Sequence, residues 1–435
     1  MTIQELYERV FLKHPIICTD TRKIKQGGLF FALKGPNFNA NTFAKQAIEQ
    51  GSAFAIVDEP DVVLNEKYIL VNDVLTTLQD LARYHRSVLQ IPVIAIAGSN
   101  GKTTTKELMS AVLKKQYNTY STPGNLNNHI GVALCILEIK ADHQLAVIEL
   151  GANHAGENAF LCTIAQPNFG IVTNNGKDHL EGFGSIEGVI ASNNELYDYL
   201  KTKNGFAFVN EDDSVLNTLS KQLKRITYGV SQDSSVRGNV TGNQPFLHVD
   251  VFLRYAHSLP SQVGIRTNLI GKYNLPNILA AVAVGHYFEV SNELIKSAIE
   301  EYVPSNNRSQ VIKTPKNVLF MDAYNANPSS MSAAIESFVE IESPSKIVIV
   351  GDMLEMGSFS ESEHEEMVRF MQSKKLQTVF LVGNEFGKTA APSTYKKFAT
   401  TKALADWIKE NPILDSTILL KGSRGIRLEE LKEVL

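Results

Sequence analysis

A chain of 435 residues, 43% hydrophobic and 20% charged, has enough apolar surface for several cores, which excludes a disordered or fibrous protein. Its 46 acidic residues outnumber 42 Lys and Arg, and a formal net charge of −4 offers no basic field of the kind that holds nucleic acid or anionic lipid. The cysteines Cys18, Cys135 and Cys162 are odd in number, widely spaced and without a C-x-x-C pair, so neither a disulfide framework nor a zinc cluster is expected.

The N-terminus, "MTIQELYERVFLKHP", carries acidic residues where a signal peptide has basic and apolar regions, and no apolar run approaches the roughly 20 residues that span a bilayer. The expectation is a cytoplasmic protein with no membrane and no nucleic-acid partner. In residues 1–90, "ICTDTRKIKQGGLFFALKG" predicts short strands round a Gly-Gly turn, followed by a helix from about 40 to 50 and a strand "AFAIVD". This is a small α/β domain ending near "RYHRSVLQIP". Residues 91–304 form the second unit. Here "VIAIAG", "LAVIELG", "FGIVTNN" and "FAFVN" alternate with helical periodicity, the pattern of a doubly wound, mostly parallel sheet. Residues 229–271 alternate apolar and polar residues among turn formers and predict a β-rich insertion within it. Beyond the polar stretch "YVPSNNRSQ", residues 305–435 repeat the doubly wound pattern with "NVLFMDAYNANP", "KIVIVGDM", "TVFLVGN" and "TILLKGS". The fold class is α/β in three domains: a small N-terminal one, a central P-loop domain with the insertion, and a C-terminal Rossmann-like one.

The stretch "AIAGSNGKTTTKELM" nearly matches the phosphate loop G-x-x-x-x-G-K-[ST], but the position due a glycine holds Ile96 and the glycine sits at Gly98. Phosphates need backbone N–H donors in a concave turn, a lysine for charge and a hydroxyl for magnesium. Gly98, Ser99, Asn100, Gly101, Lys102, Thr103 and Thr104 supply these between an apolar strand and a helix. The alternative is a helix N-terminus with capping threonines and a solvated lysine. Glu149, inside "LAVIELG", is costly in an apolar strand unless paired or metal-bound, so it is either a magnesium ligand or half of an internal salt bridge. Asp178 and His179 follow the next strand. "NNGKD" fails as an N-K-x-D guanine motif. In the last unit the strand ends carry Asp322, Asn325 and Asn327; Asp352 and Glu355; Asn384; and Lys421, Ser423 and Arg424, which as a group favour a bound substrate.

Together the motifs resemble the Mur ligases of peptidoglycan synthesis, over essentially the whole chain. The resemblance rests on "TDTRK" and "LFFALKGPNFN"; on "GSNGKTTTKE", "TPGNLNNHIG", "IELGANHAGE", "TNNGKDHLEGFGS" and "GKYNLPNILAA"; and on "DAYNANPSSM", "GDMLEMG" and "KGSRGIRLE". The "DAYNANP" and "GDMLEMG" pair resembles the branch of the family whose acceptor is D-alanyl-D-alanine. The resemblance implies an ATP- and Mg2+-dependent ligase whose other substrate is UDP-N-acetylmuramoyl-tripeptide; the expected state is a monomer, which the sequence does not settle. The resemblance further implies Lys102 at the ATP phosphates; Thr103, Glu149 and His179 at magnesium; Asn274 and Asn277 by the adenine; and Arg308 and Asp322 reaching the nucleotide. Thr21, Arg22 and Lys34 match positions facing the UDP-muramoyl substrate in the first domain. Asn125, Asn127 and Asn128 match its path to ATP, and Asn325, Asn327, Asp352 and Leu354 the region receiving the dipeptide.

The chain departs from the family at one position. Where the family carries a lysine carbamylated to bridge metal, this sequence has Asn193, which cannot be carbamylated. Glu187, Glu195, a bound anion or an altered metal demand are the alternatives for what stands in. Another Mur-type or folylpolyglutamate-type ligase, or a P-loop ATPase with no acceptor, are the competing readings of the whole.

Overall fold

The computed structural model describes residues 1–254, 261–305 and 307–435; part of the expected β-rich insertion (255–260) and one residue of the expected second boundary (306) lie outside the described residues. Strands Ile17–Cys18, Leu29–Phe31, Phe54–Val57 and Tyr68–Leu70 form a four-stranded parallel sheet in chain order. The run Leu29-Phe30-Phe31 is apolar throughout because both faces of its strand are covered: Leu29 and Phe31 enter one buried cluster and Phe30 another. The predicted helix after the Gly-Gly turn begins as a 3-10 turn, Ala40–Phe43, and becomes α-helical over Ala44–Glu49.

Helix Val74–Val88, capped by the Asp73 carboxylate on the Thr76 amide at 2.6 Å, leaves the first sheet to lie on the central unit. Gln79 donates to the carbonyl of His129 (3.2 Å), Arg86 to that of Ala165 (3.1 Å), and His85 meets the carbonyl of Ile139 at 2.8 Å. One continuous apolar cluster therefore runs from Leu29 and Phe31 through Leu78 and Leu81 to Val132 and Ile148.

The central unit is a nine-stranded sheet in the order Ser261–Ile270, Phe246–Leu253, Val236–Asn243, Lys224–Gly229, Phe206–Asn210, Phe169–Val172, Val93–Ala97, Leu145–Glu149, Thr119–Ser121. Seven strands pair in parallel, and the last two in sequence are added by antiparallel pairing, so that Phe246–Leu253 alone runs against the rest. The expected insertion thus lies within the central unit, where it continues the same sheet. The reason is visible in Phe246–Leu253, whose alternate residues Leu247, Val249, Val251 and Leu253 are buried in the cluster that includes helix Leu275–Tyr287.

In the third unit six strands run in the order Gln310–Lys313, Asn317–Asp322, Ser416–Lys421, Lys346–Gly351, Thr378–Val382, Lys396–Phe398, all parallel except the first. Two apolar clusters cover its faces, with Val348 and Val350 on one and Ile347 and Ile349 on the other. Helix Pro328–Val339 starts where its sequence says it should: Pro328 occupies the first turn, and Asn327 and Ser330 form a reciprocal capping box. Among the described residues no helix is long and apolar enough to cross a membrane. Residues at the carboxyl ends of the parallel strands of the central and third units line one cleft of about 1190 Å³.

Candidate active site

The misfit in the lysine loop is resolved by geometry. Ile96 is buried inside strand Val93–Ala97, paired with Glu149 across the ladder, so the turn begins at Gly98. Gly98 has φ +121°, and a Cβ there would lie 2.2 Å from Thr173 Oγ1; Gly101 has φ +82° and would meet Asn277 Oδ1 at 2.6 Å. Helix Lys102–Lys114 starts immediately afterwards. Residues 174–176 clamp the loop from behind: the Asn100 amide donates to Asn174 Oδ1 (3.1 Å), Asn174 Nδ2 to the Asn100 carbonyl (2.9 Å), and the Gly176 amide to Ser99 Oγ (2.9 Å). Lys102 Nζ donates to the carbonyls of Gly98 and Ser99. Neutral carbonyls hold an ammonium less tightly than phosphate oxygens do, so an anion in the loop competes for it favourably.

Thr103 Oγ1 donates to Glu149 Oε1 at 3.1 Å, and Asn127 Nδ2 donates to the same oxygen at 2.9 Å. The other oxygen, Oε2, is buried without a hydrogen bond and lies 3.7 Å from Lys106 Nζ. Both alternatives read from the sequence are thus partly present: a loose internal ion pair, and a carboxylate oxygen with coordination capacity left beside a threonine hydroxyl. Among the described residues no group of three or more His, Cys, Asp and Glu side chains could hold a metal alone. A hydroxyl and one carboxylate beside a phosphate loop nonetheless suit Mg2+, which keeps several waters and takes the rest of its oxygens from nucleotide phosphates.

His179 adopts φ +46° and its Nδ1 stands 2.7 Å from Glu355 Oε2 of the third unit. The His179 imidazole beside it outweighs desolvation and holds the Glu355 carboxyl below its usual range. Further contacts join the units: Asn327 Nδ2 donates to Asn100 Oδ1 (2.8 Å), the Lys177 amide donates to Ser329 Oγ (3.0 Å), and Lys177 Nζ pairs with Glu363 (2.8 Å). On the third-unit wall, Asp322 is paired with Lys421 (2.8 Å) and accepts from the Ser309 amide (3.2 Å), while the Arg308 guanidinium stacks over Tyr324 at 3.7 Å.

Most of the residues expected at the site meet on this cleft. Ser99 to Thr104, Asn125, Asn127, Asn128, Glu149, His179, Asn274, Asn277, Arg308, Asp322, Asn325 and Asn327 all line it. Gly98 lies behind the loop it shapes. Asn274 and Asn277 also spend amides on structure: Asn277 Nδ2 donates to Asn274 Oδ1 (2.8 Å), and Thr105 donates to Asn277 Oδ1 (3.0 Å), bracing Gly101.

The remaining expected residues are elsewhere. Thr21, Arg22 and Lys34 belong to the first unit, where Arg22 pairs with Asp20 (2.8 Å) and Lys34 with Asp58 (2.9 Å) and Glu59 (3.1 Å). Asp352 is buried, its carboxylate accepting from the amides of Glu385 and Phe386 at 2.9 Å each; Leu354 is exposed, its amide donating to Ser423 Oγ. Neither lines the cleft. Asn193 is buried and donates to Asn175 Oδ1 at 2.9 Å. The two carboxylates considered as its substitutes do not line the cleft. Glu195 accepts from the amides of Gly156 and Ala159, and Glu187 is exposed in the first turn of helix Ile186–Thr202. Sequence reasoning missed Asn174, Gly176 and Tyr324 as wall residues. The strand-end argument applied to the third unit would have found Asn174 after Phe169–Val172.

A parallel strand, a glycine turn, a helix opening on Lys-Thr, and a carboxylate on the adjacent strand together define an α/β protein of the phosphate-loop class. The comparisons narrow this. Residues 96–285 match the family description "Mur ligase middle domain", and residues 307–424 match "Mur ligase, glutamate ligase domain". Two bacterial relatives are each named UDP-N-acetylmuramoyl-tripeptide–D-alanyl-D-alanine ligase. The one from Bacillus subtilis is 34% identical over 428 residues, covering 95% of this chain and 92% of its own. The Escherichia coli one is 34% identical over 429 residues, covering 96% and 93%. Among solved structures, a crystal structure of MurF from Acinetobacter baumannii superposes with a TM-score of 0.84 at 29% identity, covering 96% of this chain and 92% of its own. The chain belongs to the Mur ligase family.

Proposed function

We propose that this protein is the ADP-forming ligase that joins D-alanyl-D-alanine to UDP-N-acetylmuramoyl-tripeptide, making the UDP-muramoyl-pentapeptide used in peptidoglycan. The observation that carries this reading is the meeting of two strand-end sets in one cleft. The phosphate loop with Glu149 stands on one wall, and the "DAYNANP" segment stands on the other, with Asn327 hydrogen-bonded to Asn100. The names of relatives at 34% identity over nearly the full length support the acceptor.

Joining a carboxylate to an amine in water is uphill, so the carboxylate must first become an acylating agent. The terminal carboxylate of the tripeptide attacks the γ-phosphorus of ATP, ADP leaves, and an acyl phosphate forms. Backbone amides of Gly101 to Thr103 and the Lys102 ammonium offset the charge on the phosphoryl oxygens. Thr103, Glu149 and His179 would hold Mg2+, which when bound supplies further neutralisation of phosphate charge; Glu355 engages only Nδ1 of His179 and leaves Nε2 for such an ion. The amine of the dipeptide then attacks the acyl carbonyl, the C–O bond to phosphate breaks, and the departing phosphate accepts a proton. The third unit excludes water from the acyl phosphate while this happens.

In this reading the first unit, through Thr21, Arg22 and Lys34, binds the UDP-muramoyl end. Asn125, Asn127 and Asn128 lead it to ATP; Asn274, Asn277, Arg308 and Asp322 bind the nucleotide; and Asn325 and Asn327 receive the dipeptide, with Asp352 and Leu354 in the same region but off the cleft. Both walls of the cleft come from one chain, which supports a monomer as the active form. All three cysteines are buried and unpaired, which suits a reducing cytoplasm. The test is phosphate release with UDP-muramoyl-tripeptide and a varied acceptor. Release that requires both tripeptide and D-alanyl-D-alanine is expected. Equal release without an acceptor, or with single amino acids in its place, overturns the assignment.

A further inference from the structure

Resting on the ligase reading above, we infer that Lys177 is a positioning residue that couples ATP use to amide formation by clamping the third unit over the acyl phosphate. Residues 174–177 form a bridge with two grips. On one side they hold the phosphate loop: the Ser99 amide donates to the Asn174 carbonyl (3.0 Å) and the Gly176 amide to Ser99 Oγ (2.9 Å). On the other side Lys177 holds the third unit twice. Its amide donates to Ser329 Oγ in the first turn of helix Pro328–Val339, and its ammonium pairs with Glu363 at 2.8 Å and Glu366 at 3.5 Å on helix Ser360–Ser373.

Glu363 makes this pairing consequential. Its side chain is only 9% exposed, and among the described ion pairs its partner is Lys177 alone. A carboxylate at that depth is costly without a counter-charge, so the ammonium is what makes the closed contact between the units tolerable. If the units part, both charges regain water; while they meet, each depends on the other. Lys177 itself does not line the cleft, so it acts through the elements it ties together, above all the Asn327–Asn100 contact one turn from Ser329. Loosening this clamp admits water to the acyl phosphate and displaces the acceptor wall, without touching the groups that bind ATP.

The experiment uses the full-length enzyme and two readouts: ADP formed per pentapeptide, and KM for D-alanyl-D-alanine. Lys177→Glu and Glu363→Lys singly should each raise the dipeptide KM about tenfold and raise the ADP-to-product ratio, with the excess ADP dependent on tripeptide. The double variant Lys177→Glu/Glu363→Lys should return both quantities to within about threefold of wild type. Lys177→Met, which keeps the stem and removes the charge, should move both readouts in the same direction and covers misfolding of the reversals. A fall in kcat with unchanged coupling ratio and KM, or a swap that fails to rescue, overturns the inference. Failure of the ligase reading is separable, because wild type would then form ADP without needing tripeptide and dipeptide together.

Discussion

The central and third units are both doubly wound sheets whose strands end at one cleft, yet they treat their strand-end polar groups differently. In the central unit Glu149 keeps one buried oxygen without a hydrogen bond, and Lys102 is held only by carbonyls of its own loop. In the third unit Asp352 is fully engaged by two amides of helix Asn384–Lys388, and Asp322 by Lys421 and the Ser309 amide. Polarity at a strand end is therefore not by itself a sign of ligand binding. What distinguishes a site is polar capacity left over once the fold has taken its share.

The contrast can be broken at its strongest point first. Lys102→Ala should lower tripeptide- and dipeptide-dependent phosphate release by about three orders of magnitude and leave the melting temperature unchanged, because the ammonium bonds only to its own loop. Glu149→Gln should come next, with turnover down about a hundredfold and a higher magnesium requirement, read by titrating Mg2+ against phosphate release. Asp352→Ala should reverse the pattern. Losing the partner of two buried amides should cost about 1–3 kcal/mol in denaturant melts, while the dipeptide KM stays within about threefold. A raised KM with unchanged stability would instead make Asp352 a dipeptide contact and erase the contrast.

The smallest effect belongs to the first unit, where the carboxylate of Asp58, just after strand Phe54–Val57, is as fully engaged as Asp352. Burial raises its pKa, but hydrogen bonds from Lys34, Asn41 and the Val74 amide outweigh that and hold it below the ordinary value. A lowered folded pKa contributes stability above the unfolded value of about 3.9 that is lost as pH falls through the folded one. The melting temperature of wild type should therefore drop more steeply below about pH 4 than that of Asp58→Asn.

Much of this was legible in the chain. The apolar runs ending in glycine or a turn marked the parallel strands, and the Asn327-Pro328 start of helix Pro328–Val339 follows from local chemistry alone. The insertion was legible as β-rich and as part of the middle unit, but not as a continuation of its sheet, because alternation shows that one face of a strand is buried without showing against what. Residues 246–253 bury theirs in the cluster of a helix from the parent unit. Asp352 illustrates the same limit at the site: a carboxylate after a strand reads alike whether it meets a ligand or caps a helix more than thirty residues away in sequence.

By itself, then, the sequence determined the three α/β units, the shortened loop from Gly98 to Thr103, and the family, because backbone propensity, glycine conformations and motif spacing are local properties. Only the tertiary structure decided that Glu149 faces both Thr103 and Lys106, that His179 pairs with Glu355, that Glu195 is consumed as a helix cap, and that Lys177 reaches Glu363. Each of those facts depends on which segments meet across the fold, and hydrogen-bond capacity is assigned only when they do.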